Sequence, residues 1–343
     1  MGKTRRQSHE VMSEERTERV REISLRFFGR LPKRVAFPGG KSRSAFVVDM
    51  GDGVYIFADR KKVPAAQLEG IVLKSLGPSG QVPKLVGVHS HWVVQECMIG
   101  ERMPVVLEEY DSMSDKEALN VNAIESLIAL HDQAADSNLS YRVPKLGQRE
   151  GWLKGRIDAI ADISKAIDVP TPLIDRKKLY YKMDVKRDEF VKWDARPGNA
   201  LVTPDGVSWF DWEDCGRSKS IDDLAFLLLD EWNSIDEATE SRLLDKYLPT
   251  FCRSQSLDEG SEYFRTFGVT HCVSRLKRSL RLRARKNKWW DRDHCLQADK
   301  VGVTPEETGR LLTRIRRYSD GVSVLKPLPA WVERIEEKYA IEI

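Results

Sequence analysis

The sequence holds no cysteine pair spaced as C-x-x-C: Cys97, Cys215, Cys252, Cys272 and Cys295 are odd in number and widely scattered. That argues against a disulfide framework and against a cysteine-based zinc site, and leaves the thiols as structural residues. No apolar run approaches the roughly 20 residues needed to span a bilayer. The opening Met1-Gly2-Lys3-Thr4-Arg5-Arg6 leads into Glu14, Glu15 and Arg16 rather than an apolar signal core, and Arg6 stands where a myristoylation signal needs Ser or Thr. A cytoplasmic, reducing compartment with no membrane partner is the expectation. Excess charge of one sign is also missing. With 56 basic against 53 acidic residues, net +3, bulk charge does not point to nucleic acid as a partner.

What is present is an ordinary globular balance, 41% hydrophobic and 32% charged over 343 residues, enough for two domains. Residues 1 to about 12 read as polar and loose, and Val20, Ile23, Leu25 and Phe28 among charges predict an amphipathic helix ending at Gly29. Strand-like runs follow at Arg34 to Phe37, Ser44 to Asp49 and Val54 to Ala58, the last two joined by the hairpin signal Gly51-Asp52-Gly53. A helix from Ala65 to Leu76 and strands at Lys84 to Val88 and Trp92 to Cys97 complete a small, mostly antiparallel domain, residues 1–98. Beyond it, helical periodicity over Ala118 to Gln133, Ile221 to Asn233, Glu237 to Tyr247 and Tyr263 to Lys288 predicts an α-rich second domain, residues 99–343. The expected class is α+β, with two closely hinged lobes and a cleft between them.

One segment carries chemistry. After Phe190-Val191 come Asp194 and Asn199, then a strand Ala200-Leu201-Val202, a turn Pro204-Asp205-Gly206, and a strand ending at Asp211. A hairpin of this kind brings its ends together. Asp194, Asn199 and Asp211 would then offer hard oxygen donors suited to Mg²⁺ beside a polyphosphate.

These residues carry a resemblance. Trp193-Asp194-Ala195-Arg196-Pro197-Gly198-Asn199, then Trp209-Phe210-Asp211-Trp212, then Asp222-Asp223-Leu224-Ala225, resemble in order and spacing the aminoglycoside phosphotransferase and choline kinase superfamily. Its loop reads H-G-D-x-x-P-G-N, a strand ends in I-D-W, and a helix opens with D-L-A. The resemblance covers about residues 35 to 235 and implies a protein-kinase-like fold. It implies ATP-dependent, Mg²⁺-assisted phosphoryl transfer to a hydroxyl of a small molecule, with Asp194 as catalytic base or orienting carboxylate. Asn199 and Asp211 become metal ligands, and Asp223 a buttress of the loop. Gly39, Gly40 and Ser42 fall in the phosphate-covering loop, Glu69 matches the glutamate that anchors a nucleotide-binding cation, and the hinge from Glu96 to Met98 would meet adenine. His131, in the helix preceding the catalytic half, reads as a packed helix residue.

The loop departs from that pattern at Lys192 and Arg196, where the family has histidines, and at Trp193, where it has glycine. The expected small-lobe lysine position is Ala58, so Arg60, two residues on, is the favoured substitute, with Lys61 beside it. These departures motivate an alternative reading, a non-catalytic nucleotide-binding or regulatory module. Between Arg275 and Arg292 the chain also carries Lys277, Arg278, Arg281, Arg283, Arg285, Lys286 and Lys288 against the single acid Asp291. That run predicts either a solvated helix face or a surface that favours an anionic acceptor over polycationic aminoglycosides.

Overall fold

The computed structural model describes residues 2–37, 44–147, 151–298 and 300–341, with side chains from Glu15 onward in the first helix. The chain divides into two compact units, Met1–Ile99 with Phe210–Glu213, and Gly100–Trp209 with Asp214–Ile343.

The first unit contains α1 (Gly2–Phe28), β1 (Arg34–Ala36), β2 (Ala45–Asp49), β3 (Val54–Asp59), α2 (Val63–Leu76), β4 (Leu85–His89) and β5 (Trp92–Glu96). The helix α1 begins at Gly2 rather than near residue 13; the charged residues that read as loose are mostly good helix formers. The strands form one antiparallel sheet in the order β1-β2-β3-β5-β4. Strict alternation along β2 sends Phe46 and Val48 inward, onto Val20 and Ile23 of α1 and onto Met50, Phe57, Trp92 and Val94. The β2–β3 turn works as its sequence suggests. Gly51 takes φ +90°, open to glycine without strain, and its amide donates to Asp49 Oδ1 at 2.7 Å. Pro64, in the first turn of α2, fits a position where a missing N–H costs nothing.

The second unit contains β6 (Glu101–Arg102), α3 (Met103–Glu109), α4 (Met113–Asp136), α5 (Trp152–Ala166), α6 (Arg176–Met183), β7 (Glu189–Val191), β8 (Ala200–Thr203), β9 (Gly206–Trp209), β10 (Gly216–Ser218), α7 (Ile221–Leu228), α8 (Glu237–Phe251), α9 (Leu257–Lys286), α10 (Arg292–Gln297), α11 (Pro305–Ser319) and α12 (Leu328–Tyr339). β8 pairs with β6 and β9, and β7 with β10, all antiparallel. The 30-residue α9 is the axis of this unit, packed by α5, α7, α8 and α11. It starts six residues before the periodicity at Tyr263 suggests, because Ser256 and Glu259 form a reciprocal capping box that secures the first turn. α7 is shorter than expected and stops at Leu228. Asp230 diverts the backbone by accepting the Trp232 amide at 3.0 Å, and Asn233 Nδ2 donates to the Leu227 carbonyl at 3.0 Å.

No helix among the described residues is long and apolar enough to cross a membrane.

Candidate active site

β7 ends at Val191, and the chain then passes through Lys192, Trp193 and Asp194 into a single 3₁₀ turn, Pro197–Asn199, before β8. Trp193 and Asp194 both lie in the left-handed region, at φ +56° and +54°. Non-glycine residues rarely adopt that conformation, so something must hold it. The holder is Asp223 in the first turn of the buried α7. Its Oδ2 accepts the Lys192 amide at 2.7 Å and its Oδ1 the Trp193 amide at 2.8 Å. His131 of α4 completes the arrangement, with Nε2 2.9 Å from Asp223 Oδ2. His131, expected as a packed helix residue, is buried, and it also orients the aspartate that orients the loop.

Within the loop, Asn199 Nδ2 donates to the Asp194 carbonyl and to Asp194 Oδ2, each at 2.9 Å. That use of the amide nitrogen leaves Oδ1 as the oxygen Asn199 can offer a cation. Arg196 Nε donates to Asp194 Oδ2 at 3.2 Å. Burial works to raise the Asp194 carboxyl, but Arg196, Lys192 and Arg275 overcome it and hold the group at about 2, so it is ionised at neutral pH.

Trp193, in place of the glycine of the resembling pattern, joins an aromatic cluster. Its ring lies 5.5 Å from Trp152, 5.1 Å from Phe226 and 6.0 Å from Phe267. The Arg156 guanidinium lies over Trp152, Trp193 and Phe267, at 5.1, 5.9 and 4.7 Å from their centroids. Nothing in the local sequence marks Arg156, since α5 carries no motif.

In the first unit, Arg60 follows β3 and makes a two-pronged pair with Glu69 of α2, through Nε to Oε2 and through Nη2 to Oε1 at 2.7 Å. Its Nη1 donates to Glu213 Oε2 at 3.1 Å and lies 3.8 Å from Asp211 Oδ1. Arg60 and Glu69 are both buried at the side chain. Burial opposes the charge on Arg60, yet Glu69, then Asp211 and Glu213, raise its pKa above the ordinary arginine value. Asp211 is the third left-handed residue of the set, at φ +61°. At the end of β5, the Glu96 amide donates to the Lys84 carbonyl and the Cys97 amide to the Val54 carbonyl, each at 2.9 Å. Gly39, Gly40 and Ser42 lie outside the described residues.

The basic run from Arg275 on α9 to Arg292 at the start of α10 is less bare than its local sequence suggests. Arg275 is buried against Glu231, with Nε donating to Oε2 at 2.7 Å. Lys277 pairs with Asp162, and Arg292 with Glu108 and Glu307. Arg283 stacks over Trp289 and Tyr339, and Lys286 over Trp290. The acids were far off in sequence and so invisible to a reading of the run alone.

The described residues contain no group of three or more His, Cys, Asp or Glu side chains arranged for a metal ion. Magnesium delivered with a polyphosphate needs only one or two protein oxygens, the rest coming from phosphate and water. Asn199 and Asp211 are of that donor chemistry.

No protein-family model matches the chain, and no curated protein matches it in sequence. Solved structures do match it in shape. A spectinomycin phosphotransferase in complex with ADP and spectinomycin is 12% identical, with 87% of this chain and 98% of that chain covered at a TM-score of 0.55. A mutant aminoglycoside 2'-phosphotransferase in complex with GDP is 14% identical, with 79% and 93% covered at 0.52. A choline/ethanolamine kinase family protein from Mesorhizobium loti is 13% identical, with 88% and 92% covered at 0.50. Likeness at this level of identity speaks for the fold: this chain has the α+β, protein-kinase-like fold of the aminoglycoside phosphotransferase and choline kinase structures.

Proposed function

We propose that the chain transfers the γ-phosphoryl group of ATP to a hydroxyl of a small molecule. The observation that carries this reading is the Asp194 carboxylate, held ionised in a left-handed loop by Asp223 and by its own neighbours. A carboxyl at about 2 is a weak base toward an alcohol, so Asp194 serves first to accept the acceptor's O–H hydrogen bond and aim its oxygen. As the new O–P bond forms, the bond from the γ-phosphorus to the oxygen bridging to the β-phosphate breaks and ADP departs. The alcohol, once bonded to phosphorus, becomes acidic enough for Asp194 to take its proton. In this reading Arg60, fixed by Glu69, supplies positive charge to the nucleotide phosphates in place of a lysine, and the backbone at Met98 meets the base, since the Glu96 and Cys97 amides are already spent in the sheet. Magnesium would neutralise charge on the phosphates, with Asn199 Oδ1 and the Asp211 carboxylate as its protein donors.

The test is transfer of radiolabelled γ-phosphate from ATP to a panel of hydroxylated metabolites, with Asp194→Ala and Asp211→Ala alongside. Both variants should fold and lose at least about a thousandfold in turnover; near-normal turnover would overturn the assignment. Trp193 in the glycine position and the arginine at Arg60 favour a second reading, a nucleotide-binding module without turnover. Nucleotide binding that is independent of magnesium and yields no product with any acceptor would establish it.

A further inference from the structure

The surroundings of Asp194 within the second unit are cationic well beyond its own pairing. One face of α9 presents Phe267, His271, Arg275 and Arg278 at helical spacing. Phe267 packs on Trp193, and Arg275 and Arg278 both act electrostatically on Asp194. From the other side comes Arg156 of α5, stacked on Trp152, Trp193 and Phe267. Arg275 is neutralised by Glu231. Arg156 and Arg278 make no ion pair with any described residue. Two buried polar atoms here have no partner, Arg156 Nη1 and His271 Nε2. A buried, unsatisfied donor on a cation costs about 1–3 kcal/mol or more, and such a cost persists most readily where a ligand relieves it.

We propose that the acceptor is an anionic hydroxylated small molecule, its carboxylate or phosphate drawn in by the cations Arg156 and Arg278 that flank Asp194 while its hydroxyl meets Asp194. This rests on the phosphotransferase reading above and narrows its substrate class. Stacking on three aromatic rings fixes the Arg156 plane, which suits a forked pair of hydrogen bonds to an oxyanion. The electrostatics agree. Burial first, then Arg275 and Arg196, push the Arg278 pKa down, the signature of a cation among cations that an anion would relieve. Polycationic acceptors would meet repulsion at the same place.

The test uses three probes on one skeleton, glycerol, glycerate and glycerol 3-phosphate, titrated calorimetrically into the full-length protein without nucleotide. Both acids should bind at least about tenfold more tightly than glycerol, a difference of about 1.4 kcal/mol, and the tighter of the two identifies the acid group. Arg278→Gln, at an exposed position among buried residues of α9, should fold normally and erase most of that preference, and Arg156→Met should do the same if it folds. Arg242→Gln, at an exposed arginine of α8 paired with Glu117, should leave it intact. No preference in the wild type, no effect of Arg278→Gln, or loss of preference in Arg242→Gln would each overturn the proposal. Anion preference with no label transferred from ATP to either acid would remove the kinase reading and the acceptor role with it, leaving an anion-binding site.

Discussion

His131 Nε2 and Asp223 Oδ2 meet at 2.9 Å in the interior of the second unit, and the same carboxylate receives the amides of Lys192 and Trp193. One side chain thus satisfies three donors, two of them buried, and sets the entry to the loop that carries Asp194. Asp223→Ala should leave all three unpaired. At about 1–3 kcal/mol for each unsatisfied group, the expected loss exceeds about 3 kcal/mol, read from urea denaturation. Asp223→Asn, which keeps one acceptor oxygen, should lose less.

Asp194→Asn tests the carboxylate without disturbing the backbone, since asparagine tolerates the left-handed conformation. Stability at pH 7 should fall by roughly 1–2 kcal/mol, the attraction of the carboxylate to Arg196, Lys192 and Arg275, while turnover falls at least about a hundredfold. The pH dependence follows from the sign of the shift. The folded pKa, about 2, lies below the ordinary 3.8, so the stabilisation from ionised Asp194 is complete above pH 4 and fades as pH falls from there toward 2. A wild-type pH–rate profile should therefore show no acid limb from Asp194 above pH 4.

Trp193→Gly sets two effects against each other. Glycine removes a left-handed strain of about 1–2 kcal/mol. It also removes the indole from Trp152, Phe226, Phe267 and Arg156, at about 3–5 kcal/mol for deleting a large packed aromatic. Packing should win, with a net loss near about 2 kcal/mol in chemical denaturation. A gain in stability would show the tryptophan to be strain without compensation.

Arg60→Met should destabilise strongly, by about 3–5 kcal/mol, because it strands Glu69 as a buried charge. The double variant Arg60→Met/Glu69→Met should recover much of that loss while leaving nucleotide affinity low. A double variant as unstable as the single would show that packing, rather than charge, governs the pair.

Asp230 gives a pH signature of the opposite sign. Burial first, then the neighbouring Glu231, raises its carboxyl to about 7, although Arg275 pulls the other way. A raised folded pKa means stabilisation present below 3.8 and lost as pH rises toward 7 and beyond. Asp230→Asn mimics the protonated form, so its melting temperature should exceed that of the wild type by a wide margin at pH 8 and by a smaller one at pH 5, the two converging as pH falls toward 3.8. Equal melting curves at both values would exclude a bound proton.

Much of this was legible in the residues themselves. The β2–β3 hairpin follows from Gly51-Asp52-Gly53, and the order of the Asp194, Asp211 and Asp223 blocks anticipated the fold, because local turn chemistry and short motifs are written in adjacent positions. What stayed hidden depends on partners remote in the chain. Asp230 and Asn233 end α7 early through bonds of their own, Glu231, Asp162 and Glu108 neutralise cations of the run from Arg275 to Arg292, and Arg156 comes to Trp193 from a helix without a motif. Pairings of that kind leave no periodicity to read.

Trp193, Asp194 and Asp211 share one backbone handedness, and this shapes what substitution can reveal at each. In a saturation scan, glycine, asparagine and aspartate would pass the conformational filter at all three sites. Valine, isoleucine and threonine would fail it whatever the chemistry demands, because their branched β-carbons clash in that region. Tolerance profiles there report chain geometry before they report function, and only comparison among the permitted residues separates the two.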